Sequence, residues 1–302
     1  MTLSEMQVAA EKAMQEQHWS QAASLWETVY QAQQTPEINY QLVQSLVADE
    51  KYAAASTYAS EFETYYLQTD EAATLYLTAL LNNQQFIQAR ILVHARPGSW
   101  QKMALVAIQA AEEKAERTLQ STLTTTMRQF YHLSDQPVVN HASLLQAATH
   151  LTYSKYLTAA KFLLVDPFLH PLTRVEVLYT LREIGVTDTV KVQWIDELPL
   201  TVTPADLPMI GQDSASLAVQ DILQDRLGQQ DVTLFASLQE LLALQLMYLY
   251  PQTETVVSDP QRWVDILIAM QTGTLSENPS QTDAKIIALQ QKLQQFTLDF
   301  QK

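Results

Sequence analysis

The chain has 302 residues, 47% hydrophobic and 17% charged, a composition that folds and at this length implies two domains or one extended solenoid. Its 33 acidic and 18 basic residues leave a net charge of −15, which argues against binding nucleic acid or anionic lipid. No cysteine is present, so disulfides, thiolate catalysis and cysteine-ligated zinc are excluded.

The opening MTLSEMQ has neither a basic region nor an apolar run, so no secretory signal is expected. From there a helical-hairpin pattern repeats. A helix is predicted over Ser4 to Gln15, a turn at Glu16 to His18, and a helix from Trp19 to Ala32. In the next unit Pro36 opens a helix with Tyr40, Val43 and Val47 on one stripe, and Asp49, Glu50 and Lys51 mark a turn. A second helix follows from Tyr52 to Tyr65. The third unit pairs Glu71–Leu81 with Phe86–His94 across a turn at Asn82 to Gln84. An aromatic followed three residues later by alanine marks each second helix: Trp19 and Ala22, Tyr52 and Ala55, Phe86 and Ala89, in steps of 33 and 34 residues. The alanine lets antiparallel helices approach closely, and the aromatic fills the hairpin end. One such hairpin cannot bury its apolar face alone, so the units are expected to stack.

Residues 100–134 are helical without the pair and read as a diverged repeat, and the pair returns at Tyr156 and Ala159 in a hairpin over 140–165. The second half differs. A helix over Pro171–Ile184 is capped by Gly185. Val190, Val192 and Trp194 alternate with polar residues, and after Asp196 and Glu197 so do Leu198, Leu200 and Val202, which predicts a β-hairpin over 190–203. Helices resume at Ser214–Leu227, Val232–Tyr250 and Pro260–Thr272. The helix over Val232–Tyr250 is apolar on nearly all sides and is expected at the buried centre of a C-terminal domain. Its greasiest part, Leu241 to Tyr250, is shorter than the roughly 20 residues of a membrane span. Past a polar linker from Thr274 to Thr282, Ile286, Leu289, Leu293, Phe296 and Phe300 form a heptad-like stripe, offered to a partner or folded back as a cap.

The expected fold is mainly α. A hairpin solenoid over 1–135 has clear repeats at 3–34, 36–67 and 70–97, and a diverged one at 100–134. A helical domain with the small β-hairpin follows over 138–273, then the linker and capping helix over 274–302.

The 34-residue step and the aromatic–alanine pair resemble the tetratricopeptide-repeat (TPR) family, over roughly 3–100 and, less closely, 140–165. The tryptophan and glycine of that family's first helix are missing, and its closing proline survives only near Pro36 and Pro97. The glutamine richness and the segment LLVDPFLHPLTRVEVLYTL look like TPR-containing proteins of low-GC Gram-positive bacteria, a group with no activity to transfer. The resemblance implies a concave groove lined by the first helix of each unit. Its positions here are Gln7, Glu11 and Met14, then Tyr40, Gln44 and Val47, then Thr74, Thr78 and Leu81. TPRs that bind chaperones clamp a peptide carboxylate with lysines and asparagines there. No basic residue stands at these positions, so a neutral or basic segment suits the groove better. The groove is otherwise a solvated face, or is filled by the protein's own second half.

No enzyme signature emerges. The five glycines stand apart, so no P-loop or dinucleotide loop is expected. The six histidines lack a metal-binding helical spacing, the serines lack a nucleophile elbow, and the pairs Glu61–Glu63 and Glu112–Glu113 read as solvated helix faces. The expectation is a cytoplasmic scaffold that binds a protein or peptide, without cofactor, metal, nucleic acid or membrane. Its alternatives are a peptide-sensing regulator that sequesters another protein, or an enzyme with a site near Trp194, Asp196 and Glu197.

Overall fold

The computed structural model describes residues 1–195 and 199–300, with 73% of the chain helical and a small two-stranded antiparallel sheet. Its N-terminal half starts each hairpin the same way. Thr2, Thr35 and Thr69 accept a hydrogen bond from the backbone N–H three residues on, at Glu5, Ile38 and Ala72. Each threonine thereby satisfies one of the amides that a helix start leaves without a partner. These caps open α1 (Leu3–Gln15), α3 (Pro36–Ala48) and α6 (Asp70–Asn82), which alternate with α2 (Trp19–Ala32), α4 (Tyr52–Ser60), α5 (Glu63–Tyr66) and α7 (Phe86–Ala95).

The turns inside the hairpins repeat as well. Gln17, Glu50 and Gln84 adopt positive φ of 59°, 57° and 59°. The following amides, of His18, Lys51 and Gln85, donate to Ala13, Leu46 and Leu80 at 2.8, 2.9 and 2.9 Å. This is the left-handed Schellman closure of a helix, made three times without glycine. The marker alanines Ala22, Ala55 and Ala89 are all 0% exposed. Adjacent helices pack in chain order, α1 on α2, α2 on α3, α3 on α4 and α4 on α6, with α3 also meeting α6. The second helix of the second unit is not continuous to Tyr65: it ends at Ser60, Phe62 takes φ of −130°, and α5 restarts at Glu63. The break turns Tyr65 and Tyr66 onto Tyr40, with ring centroids 6.1 and 6.2 Å away.

The helices α8 (Ser99–Thr118) and α9 (Gln120–Tyr131) follow, then α10 (His141–Ala148) and α11 (Tyr153–Leu163). Contacts divide the chain into two compact units. The first comprises Met1–Tyr131, Ser143–Ala159 and Glu183–Gly185, so most of the 140–165 hairpin groups with the N-terminal helices. Inside it Tyr156 stacks on Phe130 at 5.0 Å. Glu112, expected on a solvated face, is instead buried. Arg90 reaches it with two hydrogen bonds of 3.0 and 2.6 Å, the Tyr153 amide donates to it at 2.8 Å, and the guanidinium lies 4.5 Å from the Tyr153 ring centroid. Its neighbour Glu113 is exposed.

The second unit holds His132–Ala142, Ala160–Arg182 and Val186–Lys302. Its elements are α12 (Pro171–Glu183), β1 (Val190–Gln193), β2 (Pro199–Val202), α13 (Ser214–Leu227), α14 (Val232–Leu249), α15 (Thr253–Val256), α16 (Pro260–Thr272) and α17 (Gln281–Phe300). The strands pair antiparallel with Val190 opposite Val202 and Val192 opposite Leu200, and both β1 valines are buried. Asp196, Glu197 and Leu198, placed by sequence at this hairpin's turn and second strand, lie outside the described residues, as does the side chain of Phe300. The helix expected at the buried centre, α14, buries one face only: Leu238, Leu242, Gln245, Leu246, Tyr248 and Leu249 are inside, while Val232 is 69% exposed. By length and composition alone α14 is apolar enough to cross a membrane, with a mean hydropathy of 1.4. The stripe of α17 packs within this unit. Leu293 is buried in this unit's core and Ile286, Leu289 and Phe296 pack against it, where α17 meets α14 and α16.

Candidate functional site

The nine groove positions fall into three registers that the structure treats differently. The last register, Met14, Val47 and Leu81, is half-buried and packs on the core of the first unit in all three helices. Met14 also accepts a hydrogen bond at its sulfur from the Trp26 indole at 3.1 Å. The other two registers carry the accessible side chains: Glu11, Gln44 and Thr74 are exposed, and Gln7 and Thr78 are half-buried. Tyr40 is the exception there, since its ring joins the core and the aromatic cluster with Tyr65 and Tyr66. Thr74 accepts from the Trp100 indole at 2.9 Å and donates to the Asp70 carbonyl at 2.6 Å, while Thr78 donates to the Thr74 carbonyl at 2.7 Å. Five of the nine positions are thus surface and four are structural.

Behind this face runs a network of tyrosine hydroxyls. Tyr66 donates to Asn39 at 2.7 Å, whose amide donates to the Tyr58 carbonyl at 2.8 Å. Tyr58 in turn donates to Glu27 at 2.7 Å, and Tyr30 donates to Glu61. The bond to Glu27, and then burial, push the Tyr58 hydroxyl up to about 12. Burial likewise raises Tyr66 and Tyr76. All therefore stay protonated near neutral pH, and Tyr30, Tyr58 and Tyr66 serve as hydrogen-bond donors.

Compared with known proteins, the chain matches no family model, no curated protein and no solved structure.

Buried His141 bonds Thr173 at 2.9 Å and the Gln136 carbonyl at 3.1 Å. Among the described residues no group of three His, Asp or Glu side chains is placed to hold a metal ion. Of the three residues suspected of catalysis near the hairpin, Trp194 stands just past β1, and Asp196 and Glu197 lie outside the described residues.

Two cavities in the second unit were not legible in the sequence. One, of about 440 Å³, lies along α13 and α14 and is lined by amides and apolar groups, among them Gln220, Gln224, Gln239, Phe235 and Met247. The other, of about 570 Å³, brings Phe168, His170 and Arg174 together with Trp194, Lys292 and Phe296. The first three belong to the segment LLVDPFLHPLTRVEVLYTL, distinctive in sequence for reasons that spacing does not reveal. The rest come from the end of β1 and from α17, more than 100 residues away in the case of Lys292. No periodicity links such residues, and only the fold assembles them.

Proposed function

We propose that the chain is a non-catalytic protein-interaction scaffold. It binds a protein or peptide segment on the face formed by the first helices of stacked TPR-like hairpins. One observation carries the reading: the threonine cap, the left-handed turn and the buried alanine each recur three times in steps of 33 and 34 residues. Repetition at that fidelity sets α1, α3 and α6 in equivalent roles, so one register repeats along a surface rather than at a point. On that surface the side chains available for contact are Gln7, Glu11, Gln44, Thr74 and Thr78, polar and without a positive charge. Such a set suits an extended neutral or basic segment, bonded through amides and hydroxyls.

The test is a photo-cross-linking side chain placed at Gln44 and, as a control, at Thr57, an exposed residue of α4 in the same unit. In cells of origin the Gln44 probe is expected to trap one discrete adduct that Glu11→Lys diminishes, and the Thr57 probe none. Equal yields at the two positions, or no adduct at either, would remove the groove from the account.

A further inference from the structure

We infer that the cavity of about 570 Å³ in the second unit is a binding site for a small organic carboxylate with an apolar body. The argument begins with Arg174. This residue of α12 is 5% exposed, and its two terminal nitrogens donate to backbone carbonyls, at 2.8 Å to Gln193, 2.6 Å to Asp166 and 2.8 Å to Leu169. Its Nε–H, though buried, has no partner among the described residues. The indole Nε1–H of Trp194 is buried and likewise without a partner among the described residues. Native proteins pair nearly all such groups, and a buried donor left alone costs about 1–3 kcal/mol. Both residues line the same cavity.

Among the described residues that line the cavity, no carboxylate stands beside the cations Arg174 and Lys292. Burial lowers Arg174 to about 10, which still leaves it cationic at neutral pH. Lys292, also on the wall, donates to the Ile195 carbonyl at 2.6 Å. The nearby carboxylate of Asp166 is occupied by the Ser134 hydroxyl at 2.5 Å and the Phe168 amide at 2.9 Å, and forms no bond with the Arg174 side chain. Two orphan N–H donors and an ammonium call for an acceptor-only anion, which a carboxylate is. The walls select further. Phe168, 85% exposed, with Phe296 and Ile195, offers apolar and aromatic surface, which suits an organic acid with an apolar body better than a bare inorganic anion. The volume falls within the roughly 300–1,000 Å³ of small-ligand sites.

The orphan donors have one competing explanation. A third cavity, of about 10 Å³, is lined by Arg174 and Trp194 too, and has room for a single water. Calorimetric titration of the full chain separates the two. The probes are 3-phenylpropionate, its neutral counterpart 3-phenylpropanol and its cationic counterpart 3-phenylpropylamine. Saturable one-to-one binding of the acid alone is expected, and it should weaken with added salt. Trp194→Phe removes the unpaired N–H and keeps an aromatic ring, so it should fold normally by circular dichroism and bind the acid about tenfold more weakly. Lys292→Gln should weaken it by a similar factor. The site is refuted if no acid binding saturates, if the alcohol binds equally well, or if folded Trp194→Phe binds unchanged, which would assign the donors to the water. Binding that appears only in the Asp196→Asn, Glu197→Gln double variant would equally refute it, since the chain's own acids would then compete for the donors.

Discussion

Gln17, Glu50 and Gln84 hold a left-handed backbone that costs an ordinary L-residue about 1–2 kcal/mol. Glycine escapes that strain and gives back about 0.5–1 kcal/mol in unfolded-chain entropy. Glu50→Gly is therefore expected to raise stability by roughly 0.5–1 kcal/mol, and Glu50→Val to lower it by more. Urea unfolding with an unchanged slope is the check, and a lowered midpoint for the glycine variant would contradict the geometry. A larger effect is expected at Glu112, whose removal leaves Arg90 partly buried and without its acid. Glu112→Ala should cost about 3–5 kcal/mol. The same residue shows how sequence misleads at this scale. Side by side, Glu112 and Glu113 look equivalent, yet a helix turns adjacent residues by about 100°, so one faces Arg90 and the other water. His150 adds a pH dependence. Burial lowers its pKa below the usual 6.5, outweighing the opposite pull of the Gln84 and Asn83 carbonyls. The unfolded chain therefore takes up the proton first, so this residue's contribution is complete above about pH 6.5 and is lost as pH falls below it. In matched denaturation curves at pH 7.5 and 5.5, His150→Gln should lose less stability than the parent, and an identical loss would exclude His150 as the source.

At the scale of elements, periodicity located the helices well because each hairpin repeats one apolar stripe, and the breaks carry turn chemistry. It failed where packing overrides pattern. Tyr52 to Tyr65 has no glycine or proline to stop a helix, but the chain breaks at Phe62 and four tyrosine rings, Tyr40, Tyr65, Tyr66 and Tyr76, gather at that corner. For α14 the apolar count suggested burial all round, whereas burial followed the one face that meets its neighbours. The polar residue interrupting that helix, Gln245, explains its own presence: it is buried and accepts from the Trp263 indole of α16 at 2.9 Å. Trp263→Phe leaves that amide unsatisfied and should cost about 1–3 kcal/mol beyond the lost packing. Adding Gln245→Leu should recover part of the loss, because replacing both partners removes the buried demand. A double-mutant cycle in urea measures the coupling, and strictly additive losses would mean that the bond contributes nothing.

Across the whole molecule the repeats and the groove positions they carry were legible and the cavities of the second unit were not, for one physical reason. A repeat is local, written in 33 and 34 residues, whereas the carboxylate cavity joins 168–174, 194 and 292–296, whose proximity depends on the entire second unit. Net charge is the remaining global property, and it acts on stability directly. An excess of 15 negative charges repels itself in the compact state more than in the expanded one. Screening shortens from about 30 Å at 0.01 M salt to about 10 Å at 0.1 M, so added sodium chloride removes repulsion between distant surface acids first. The same salt weakens exposed ion pairs such as Lys12–Glu16, but these are worth little, and the Arg90–Glu112 pair is sheltered from it. Repulsion therefore dominates the balance, and Tm at pH 7.5 should rise between 0.01 and 0.15 M salt as read by scanning calorimetry. The gain should shrink as pH is lowered toward the isoelectric point of about 4.7, where the excess charge vanishes. A Tm that falls with salt at pH 7.5 would show instead that paired charges, rather than the acidic surplus, govern the electrostatics of the fold.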